Sequence, residues 1–319
     1  MFANKNNSSI HSINSDRDIS LFRKVLWFLL NFINNNLWSS KSSNYSIYCF
    51  TPNIAKTDLD KLNTKSSPSR ALSDLFWMKI DYNKVRLELE NIHVFDTGTG
   101  SGSAALKIEN NAGRVSSFHG VDSCFSSSWK DVMSELKHIT FSQNTSSSIL
   151  KVIPKQTNLF ITQSAVEHFD DDLLFFHEIK KFIDQSGKNI IQIHLMPSAA
   201  CLKLYLLHGV RQYNLRSISK IVSIFDNSKT YATLFSLGGE NCNKLHFRYI
   251  TKPEMLSFNK VSMRNEKTKE YFGLLKNAIN LDINNKSESP SFYALVIHSN
   301  FKNDIFNDMK SLLADSGNN

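Results

Sequence analysis

The sequence predicts an α/β fold in which a central, mostly parallel sheet is flanked by helices. Short apolar runs alternate with segments of helical periodicity between residues 92 and 194, a pattern typical of βαβ units. A cluster of glycines directly follows the first of these runs. A further apolar run over 292–298 predicts a late strand, so the sheet extends beyond the alternating region.

The elements follow in chain order. We predict strands over residues 92–95, 117–121, 138–141, 158–162 and 189–194, with helices over 129–136 and 171–183. Beyond this region we predict helices over 197–208 and 211–225, strands over 231–237 and 245–250 around a Gly238–Gly239 turn, a polar helix over 267–277 and a terminal helix over 304–313.

Residues 1–68 are predicted to form a helical extension, followed by a sheet domain over 69–319 with a substrate-binding elaboration around 195–290. The first 19 residues are polar, and 52–68 has the composition of a linker. Residues 21–33 form an apolar helix that is too short to span a bilayer. This helix, part of the apolar stretch 20–34, either packs as a lid or binds a membrane surface or a partner.

Composition predicts the cellular compartment and limits the kinds of partner that the protein can have. The net charge of +8 is spread over scattered lysines without a basic run, so we expect no nucleic-acid partner. The four cysteines (Cys49, Cys124, Cys201 and Cys242) lie far apart without a CxxC pair. They are predicted to be free thiols in the cytoplasm, with no metal site. We find no cleavable signal sequence.

Gly98, Gly100 and Gly102 follow Asp96 at the end of the first predicted strand. The chain has only 11 glycines, about half the usual density of roughly 7%. A glycine loop between a strand and a helix lets backbone amides approach a nucleotide-like ligand. Asp122 ends the next strand 20 residues after Gly102, a spacing that suits a carboxylate binding ribose hydroxyls.

Two cofactor classes use such a loop, and Asp96 distinguishes them. A dinucleotide site requires G-x-G-x-x-G/A, whereas this chain has Ser103 at the third position. A carboxylate two residues before the first glycine repels a pyrophosphate. The same carboxylate suits S-adenosyl-L-methionine, which carries an ammonium group and a sulfonium charge.

These residues resemble the first motif of the class I S-adenosylmethionine-dependent methyltransferases. The resemblance implies a Rossmann-like fold with a central, mostly parallel sheet of seven strands. The segment 163–170, which contains Glu167 and His168, is similar to the family's segment after the fourth strand. Phe141-Ser-Gln-Asn144 lacks the family's adenine-side aspartate, so Gln143 or Asn144 takes that place. The resemblance implies these cofactor contacts: Asp96, Gly98, Thr99, Gly100, Gly102, Asp122, Ser123, Gln143, Asn144, Gln163, Ser164 and Glu167.

Residues 192–214 and 69–77 resemble methyltransferases encoded among bacterial surface-polysaccharide genes. This resemblance implies a sugar or glycan hydroxyl as acceptor, in polysaccharide biosynthesis. Because such a hydroxyl has a high pKa, we expect a general base, with His168 and His194 as candidates. His208, Arg211 and Tyr213 form either a substrate pocket or a satisfied helix terminus.

Other functions stay open at this stage. The acceptor is alternatively another small molecule or a lipid. A nucleic-acid methyltransferase is disfavoured, because the segment after the fourth strand lacks the [DNS]-P-P-[YF] signature. A dinucleotide-dependent oxidoreductase and a non-catalytic cofactor-binding relative are the remaining alternatives. The sequence predicts no oligomeric state.

Overall fold

A computed structural model describes residues 21–37, 41–205, 211–225, 229–256, 262–285, 289–300, 305–306 and 309–312. Its strands are β1 (Ser46–Phe50), β2 (His93–Thr97), β3 (Ser117–Asp122), β4 (Ile139–Gln143), β5 (Leu159–Gln163), β6 (Ile190–Pro197), β7 (Thr230–Leu237), β8 (Phe292–Ser299) and β9 (Lys310–Leu312). Its α-helices are α1 (Leu21–Leu37), α2 (Lys56–Asp60), α3 (Pro68–Lys79), α4 (Tyr82–Leu89), α5 (Ser103–Ala112), α6 (Ser128–Glu135), α7 (Asp172–Ser186), α8 (Leu215–Ile224), α9 (Glu240–His246), α10 (Lys252–Leu256), α11 (Met263–Glu266) and α12 (Thr268–Asn285).

The strands of the described ranges form one sheet in the order β4-β3-β2-β5-β6-β8-β7-β1-β9. All neighbours from β4 to β6 are parallel. β8 runs antiparallel to both β6 and β7. The predicted α/β fold with a mostly parallel sheet is therefore confirmed. The strand count of seven is corrected to nine for the described part of the chain.

Two apolar clusters fill the space between the sheet and its helices. In β2, Val94 belongs to one cluster and the adjacent Phe95 to the other. Because successive side chains of a strand point to opposite faces, the clusters lie on opposite sides of the sheet. Leu72 of α3 and Ile279 of α12 pack on the first face, and Phe176 of α7 packs on the second. The sheet is thus covered by helices on both faces, as in other α/β proteins.

The strand order reverses between β2 and β5. From β2 the chain continues through β3 to the edge strand β4, and it then returns to place β5 on the other side of β2. The segments that leave β2 and β5 diverge at their carboxyl ends. Such a switch point leaves the crevice in which open α/β sheets bind ligands.

The stretch 245–250, predicted as a strand, is helical. It forms the end of α9 and a π-helical turn, Phe247–Thr251. The Asp282 carboxylate accepts hydrogen bonds from the backbone N–H groups of Asn241 and Cys242, at 3.1 and 2.9 Å, and so caps the start of α9. Leu245 and Tyr249, four residues apart, are both buried, which is a helical spacing.

The region after β6 also differs from the prediction. β6 continues to Pro197 because β8 pairs with it along its whole length, ending at Pro197 opposite Phe292. A 3-10 segment, Ala199–Tyr205, replaces the predicted α-helix over 197–208. The second predicted helix begins only at Leu215, where the Asn214 side chain accepts a hydrogen bond from Ser217 N at 2.9 Å.

The structure differs from the sequence-based prediction near both ends of the chain. The predicted terminal helix over 304–313 is wrong within the described residues, where Lys310–Leu312 pairs antiparallel with β1. The predicted linker over 52–68 contains α2. β1 was not predicted and pairs with β7, so part of the stretch assigned to the extension belongs to the sheet. The polar first 19 residues lie outside the described ranges.

Candidate functional site

A cavity of about 420 Å³ lies at the carboxyl ends of β2, β3, β4 and β5, at the switch point. Seven of the predicted site residues line it: Gly98, Gly100, Asp122, Ser123, Asn144, Ser164 and His168. Its other lining residues are Thr97, Val121, Thr145, Ser146, Ala165, Phe169 and Asp170. The sheet therefore brings together side chains from four loops that are distant in sequence.

The glycine loop is fixed by hydrogen bonds to the end of β3. Gly98 N donates to Val121 O at 2.8 Å, and Gly100 N donates to Asp122 Oδ2 at 2.8 Å. The other carboxylate oxygen of Asp122 accepts from Cys124 N at 3.0 Å. The loop and the acidic end of β3 thus form one connected unit on the cavity wall.

Two aromatic side chains support this unit from outside the cavity. Trp129 Nε1 donates to Gly100 O at 2.8 Å, and its ring stacks on Phe141 at a centroid distance of 5.3 Å. Gly102 is the N-cap of α5 and has a φ of +81°. A Cβ at this position would lie 2.8 Å from the Phe141 ring. No sequence pattern indicates Trp129 or Phe141, because their contacts with the loop arise only from packing.

Gly98 is the position at which the loop meets the segment after β5. Its φ is +79°, and an added Cβ would lie 2.3 Å from the Cβ of Ala165. Real Cβ atoms do not approach so closely, so only glycine fits here. Ala165 directly precedes the 3-10 turn Val166–His168. The contact therefore sets the distance between the glycine loop and His168.

Asp96 lies behind the cavity wall, one residue before Thr97. Its side chain is 2% exposed, and Oδ2 has no hydrogen-bond partner. Burial raises the pKa of Asp96 to about 7, with a hydrogen bond to Thr99 opposing this rise and the charge of Asp122 adding to it. Among the described residues that line the cavity, none is Lys or Arg, whereas Asp122 and Asp170 are acidic. The site therefore favours a cationic ligand and disfavours a pyrophosphate.

The structure distinguishes Asn144 from Gln143 on the predicted adenine side. Asn144 lines the cavity, and its Oδ1 accepts from Thr145 N at 2.8 Å and from Ser148 Oγ at 2.7 Å. Gln143 is exposed and donates to Ser123 O at 2.8 Å. Asn144, with its Nδ2 group, is the better placed of the two to contact a ligand. Thr145 and Ser146 also line the cavity, and their polar character directly after a strand is the sequence signal that indicates it.

The segment after β5 contains a strained residue. Ser164 has a φ of +52° and lines the cavity, and its N–H donates to Leu195 O at 2.9 Å. A positive φ in a non-glycine residue is uncommon and clusters at functional sites. Gln163, just before it, accepts from Trp77 Nε1 at 3.2 Å and is not among the lining residues. Gln163 therefore supports the loop from behind.

Four other predicted cofactor contacts lie outside the lining. They are Asp96, Thr99, Gly102 and Glu167. Thr99 and Glu167 are buried, at 6% and 4% exposure. The Thr99 N–H donates to Val121 O at 3.1 Å, and the Glu167 carbonyl accepts from Arg211 N at 3.3 Å. These backbone hydrogen bonds hold the loops that follow β2 and β5. A direct cofactor contact stays a prediction for all four residues.

Arg211 and Tyr213 are structural, which contradicts their predicted contact with substrate. Arg211 is 2% exposed and donates to the carbonyls of Val166 and Asp170, at 3.4 and 3.2 Å. Arg211 Nη1 also lies 3.5 Å from Asp172 Oδ1, and Tyr213 OH donates to Asp172 Oδ2 at 2.9 Å. Burial, together with Asp172, holds the pKa of Tyr213 well above its usual value. The cluster braces the loop that carries His168. The third member of the predicted pocket, His208, lies outside the described residues.

His194 lies in the core, so its predicted place at the sheet edge is wrong. β6 runs three residues further, to Pro197, and His194 is 0% exposed. Its Nδ1 is 3.0 Å from Thr162 Oγ1, and its Nε2 is 3.3 Å from Gln192 Oε1. Burial lowers the pKa of His194 to about 3. It therefore stays neutral near pH 7 and does not reach the cavity.

His168 is the histidine among the described residues that line the cavity. It is exposed, lines the cavity and ends the 3-10 turn Val166–His168. Within the described ranges, no group of three or more His, Cys, Asp or Glu could hold a metal ion.

Comparisons with known proteins give fold neighbours only. No family model and no curated protein matches the chain. Among solved structures, the plantazolicin methyltransferase BamL is 12% identical, with a TM-score of 0.42 over 77% of this chain and 89% of that one. YcgJ from Bacillus subtilis is 14% identical, with a TM-score of 0.38 over 70% of this chain and 100% of its own. The [4+2]-cyclase SpnF is 11% identical, with a TM-score of 0.42 over 88% and 95%. With TM-scores below 0.5, these matches decide neither activity nor substrate.

Gly98 and Gly100 make a matched pair of substitutions. We expect Gly100→Ala to lower the free energy of unfolding by about 1–2 kcal/mol, because its φ is +54° but no atom lies within 4 Å of an added Cβ. Gly98→Ala should cost about 1–3 kcal/mol more, because of the collision with Ala165. Urea denaturation of both variants measures the difference. Equal losses would contradict the close approach of the two loops.

Arg211→Met should be strongly destabilising, because it leaves the fully buried Asp172 carboxylate without its cation. Breaking a buried pair in this way costs about 3–5 kcal/mol. Lys244→Met removes an exposed pair with Glu240 and should cost less than about 1 kcal/mol. Thermal and urea denaturation compare the two variants. A similar small loss in both would mean that Arg211 does not brace the loop.

Proposed function

We propose that this chain is an S-adenosyl-L-methionine-dependent methyltransferase, with the cofactor bound in the cavity at the switch point. The observation that carries the proposal is the buried carboxylate of Asp96, whose Oδ2 has no hydrogen-bond partner, behind a glycine-lined cavity with no Lys or Arg among its described lining residues. A buried carboxylate is costly unless a cation compensates it. The ammonium and sulfonium groups of this cofactor would supply that compensation, whereas a pyrophosphate would be repelled.

Each wall of the cavity has a distinct role in this proposal. Gly98 and Gly100 allow close approach of the cofactor to the loop after β2. Asp122 would accept hydrogen bonds from the ribose hydroxyls. Its carboxylate oxygens already accept from Gly100 N and Cys124 N, and their remaining lone pairs would serve the ribose. Asn144 would contact the adenine from the loop after β4.

The proposed acceptor is a hydroxyl group of a sugar or glycan. The cofactor supplies a methyl carbon that is already activated by positive sulfur, so positioning accounts for most of the rate. His168 would take the proton from the hydroxyl as the C–O bond forms. The resemblance of 192–214 to surface-polysaccharide methyltransferases supports the glycan acceptor, and the exposure of His168 in the cavity supports a base. Arg211 and Tyr213 give this choice no support.

The cysteines support the cytoplasm as the proposed location. All four are free, and Cys49, Cys201 and Cys242 are buried. Burial raises the pKa of Cys201 to about 12, so this thiol is unreactive near neutral pH. The chain thus has no structural need for an oxidising compartment.

Cofactor binding should depend on the charge of Asp96. A cation in the cavity favours the ionised carboxylate, so binding lowers a pKa that starts at about 7 and releases a proton. The affinity for S-adenosylmethionine should therefore rise as the pH increases from 5.5 to 7.5, on the order of tenfold. Isothermal titration calorimetry over this range, with NAD as the comparison ligand, measures it.

Asp96→Asn is the control, because it keeps the shape of the side chain and removes its charge. This variant should bind S-adenosylmethionine more weakly at pH 7.5 and should lose most of the pH dependence. Tighter binding of NAD than of S-adenosylmethionine, or an affinity in the variant equal to that of the natural chain, would overturn the proposal.

His168→Ala should lower turnover about 10²–10⁴-fold with a hydroxyl acceptor and leave cofactor affinity nearly unchanged. His177→Ala, at an exposed position of α7, is the matched control and should have normal turnover. Radiolabelled methyl transfer to sugars, glycans, lipids and peptides first identifies the acceptor, and turnover is then compared at saturation. Weak cofactor binding by the His168 variant would mean that this residue contacts the cofactor and is not the base. Methyl transfer to a lipid or a peptide alone would exclude the glycan acceptor.

A further inference from the structure

Helix α1 turns an apolar face to solvent. Seven side chains on this helix are between 40% and 77% exposed, and we call them the apolar face of α1: Phe22, Val25, Leu26, Leu29, Phe32, Ile33 and Leu37. Their spacing follows the period of an α-helix, so they form one continuous stripe. Contiguous exposed apolar stripes mark interaction sites, whereas scattered exposed apolar residues do not.

The packed side of α1 includes polar groups. Trp27 and Asn31 are 2% and 1% exposed, and Asn31 Nδ2 donates to Trp27 O at 2.9 Å. Asn214 Nδ2 donates to Asn34 O at 3.1 Å and ties the helix to the segment before α8. A helix that served only as a lid would bury its most apolar stripe. This helix leaves that stripe available for a second surface.

The charge around α1 indicates the nature of that surface. No acidic residue occurs between residues 19 and 57 of the sequence, whereas Arg23 and Lys24 lie in the first turns of α1. Lys41 follows the helix, and Lys203 lies on the 3-10 segment that α1 contacts; both are exposed. Basic residues beside an apolar helix face are typical of binding to anionic lipids.

We propose that the apolar face of α1 docks in the interfacial region of an anionic lipid bilayer. Among the described residues no helix has both the length and the apolar character to cross a bilayer, so α1 would lie in the plane of the membrane. A second copy of the chain fits less well, because the segment 19–57 of that copy offers no acidic residue to complement the basic ones of α1.

The docked surface would lie near the cavity. α1 packs against Ala199–Tyr205, which directly follows the carboxyl end of β6. The cavity lies at the same edge of the sheet, because β5 and β6 are parallel neighbours. The docking does not require methyl transfer, so the two proposals fail independently.

Vesicle flotation without added cofactor tests the docking. The full chain should bind vesicles of phosphatidylcholine with phosphatidylglycerol, and should bind pure phosphatidylcholine vesicles at least about tenfold more weakly. The double variant Leu29→Ser/Phe32→Ser should lose at least about tenfold in binding to the anionic vesicles. Leu87→Ser, at an 85% exposed position of α4, is the matched control and should bind normally.

Three results would overturn the docking: equal binding to both kinds of vesicle, normal binding by the double variant, or no binding by the natural chain. A dimer in sedimentation analysis that the double variant abolishes would assign the face to a second copy instead. If the double variant has a lowered melting temperature, Arg23→Gln/Lys24→Gln gives the second test. Its binding to anionic vesicles should fall and lose most of its sensitivity to salt.

Discussion

The close approach of Gly98 and Ala165 is the constraint on which the site depends. β2 and β5 are parallel neighbours, and the loops that leave them diverge at the switch point. The absence of a side chain at Gly98 lets the two loops touch at their base. The Val121 carbonyl then holds the glycine loop on one side, and the Arg211 guanidinium holds the loop after β5 on the other. The cavity between them is defined by two rigid walls.

The buried carboxylates show which charges the fold compensates. Asp172 is paired with Arg211 and accepts a hydrogen bond from Tyr213. Glu88 of α4 accepts a hydrogen bond from Asn189, and its Oε1 lies 3.6 Å from His298 Nε2. The Oδ2 atom of Asp96 has no such partner, and the elevated pKa of Asp96 expresses that cost. The contrast with Asp172 indicates that the Asp96 carboxylate is available to a ligand, which is the pattern of a functional site.

The parts of the fold that follow from local pattern were predictable from the sequence. The five parallel strands and the glycine loop are encoded in short apolar runs and in the spacing of Gly98, Gly100 and Gly102. The stretch 245–250 was predicted wrongly, because its alternation of apolar and polar residues resembles a strand. In the structure it is helical, and the residue that caps this helix, Asp282, lies far along the chain. Tertiary contacts override local preference in such cases.

The site itself was predictable to the extent that it consists of loop positions. Residues that directly follow strands, such as Asp122, Asn144 and His168, line the cavity. For Arg211 and Tyr213 the sequence left open a substrate pocket and a satisfied helix terminus, whereas in the structure a buried acid on another helix binds both side chains. No pattern within 192–214 reveals Asp172 as their partner, since that contact depends on how α7 packs beside β6.

The contrast between the two candidate histidines also bears on the acceptor. His194 cannot take up a proton near neutral pH, because burial lowers its pKa to about 3 and both ring nitrogens contact neighbouring side chains. Any base must therefore come from the cavity, where His168 is exposed. A hydroxyl acceptor needs such a base, because it is a weak nucleophile until its proton leaves as the C–O bond forms, whereas a neutral amine or a thiolate attacks the methyl group without first losing a proton. The degree to which turnover depends on His168 is thus a measure of the acceptor's own acidity, and it separates oxygen from nitrogen and sulfur acceptors even before the complete acceptor molecule is known.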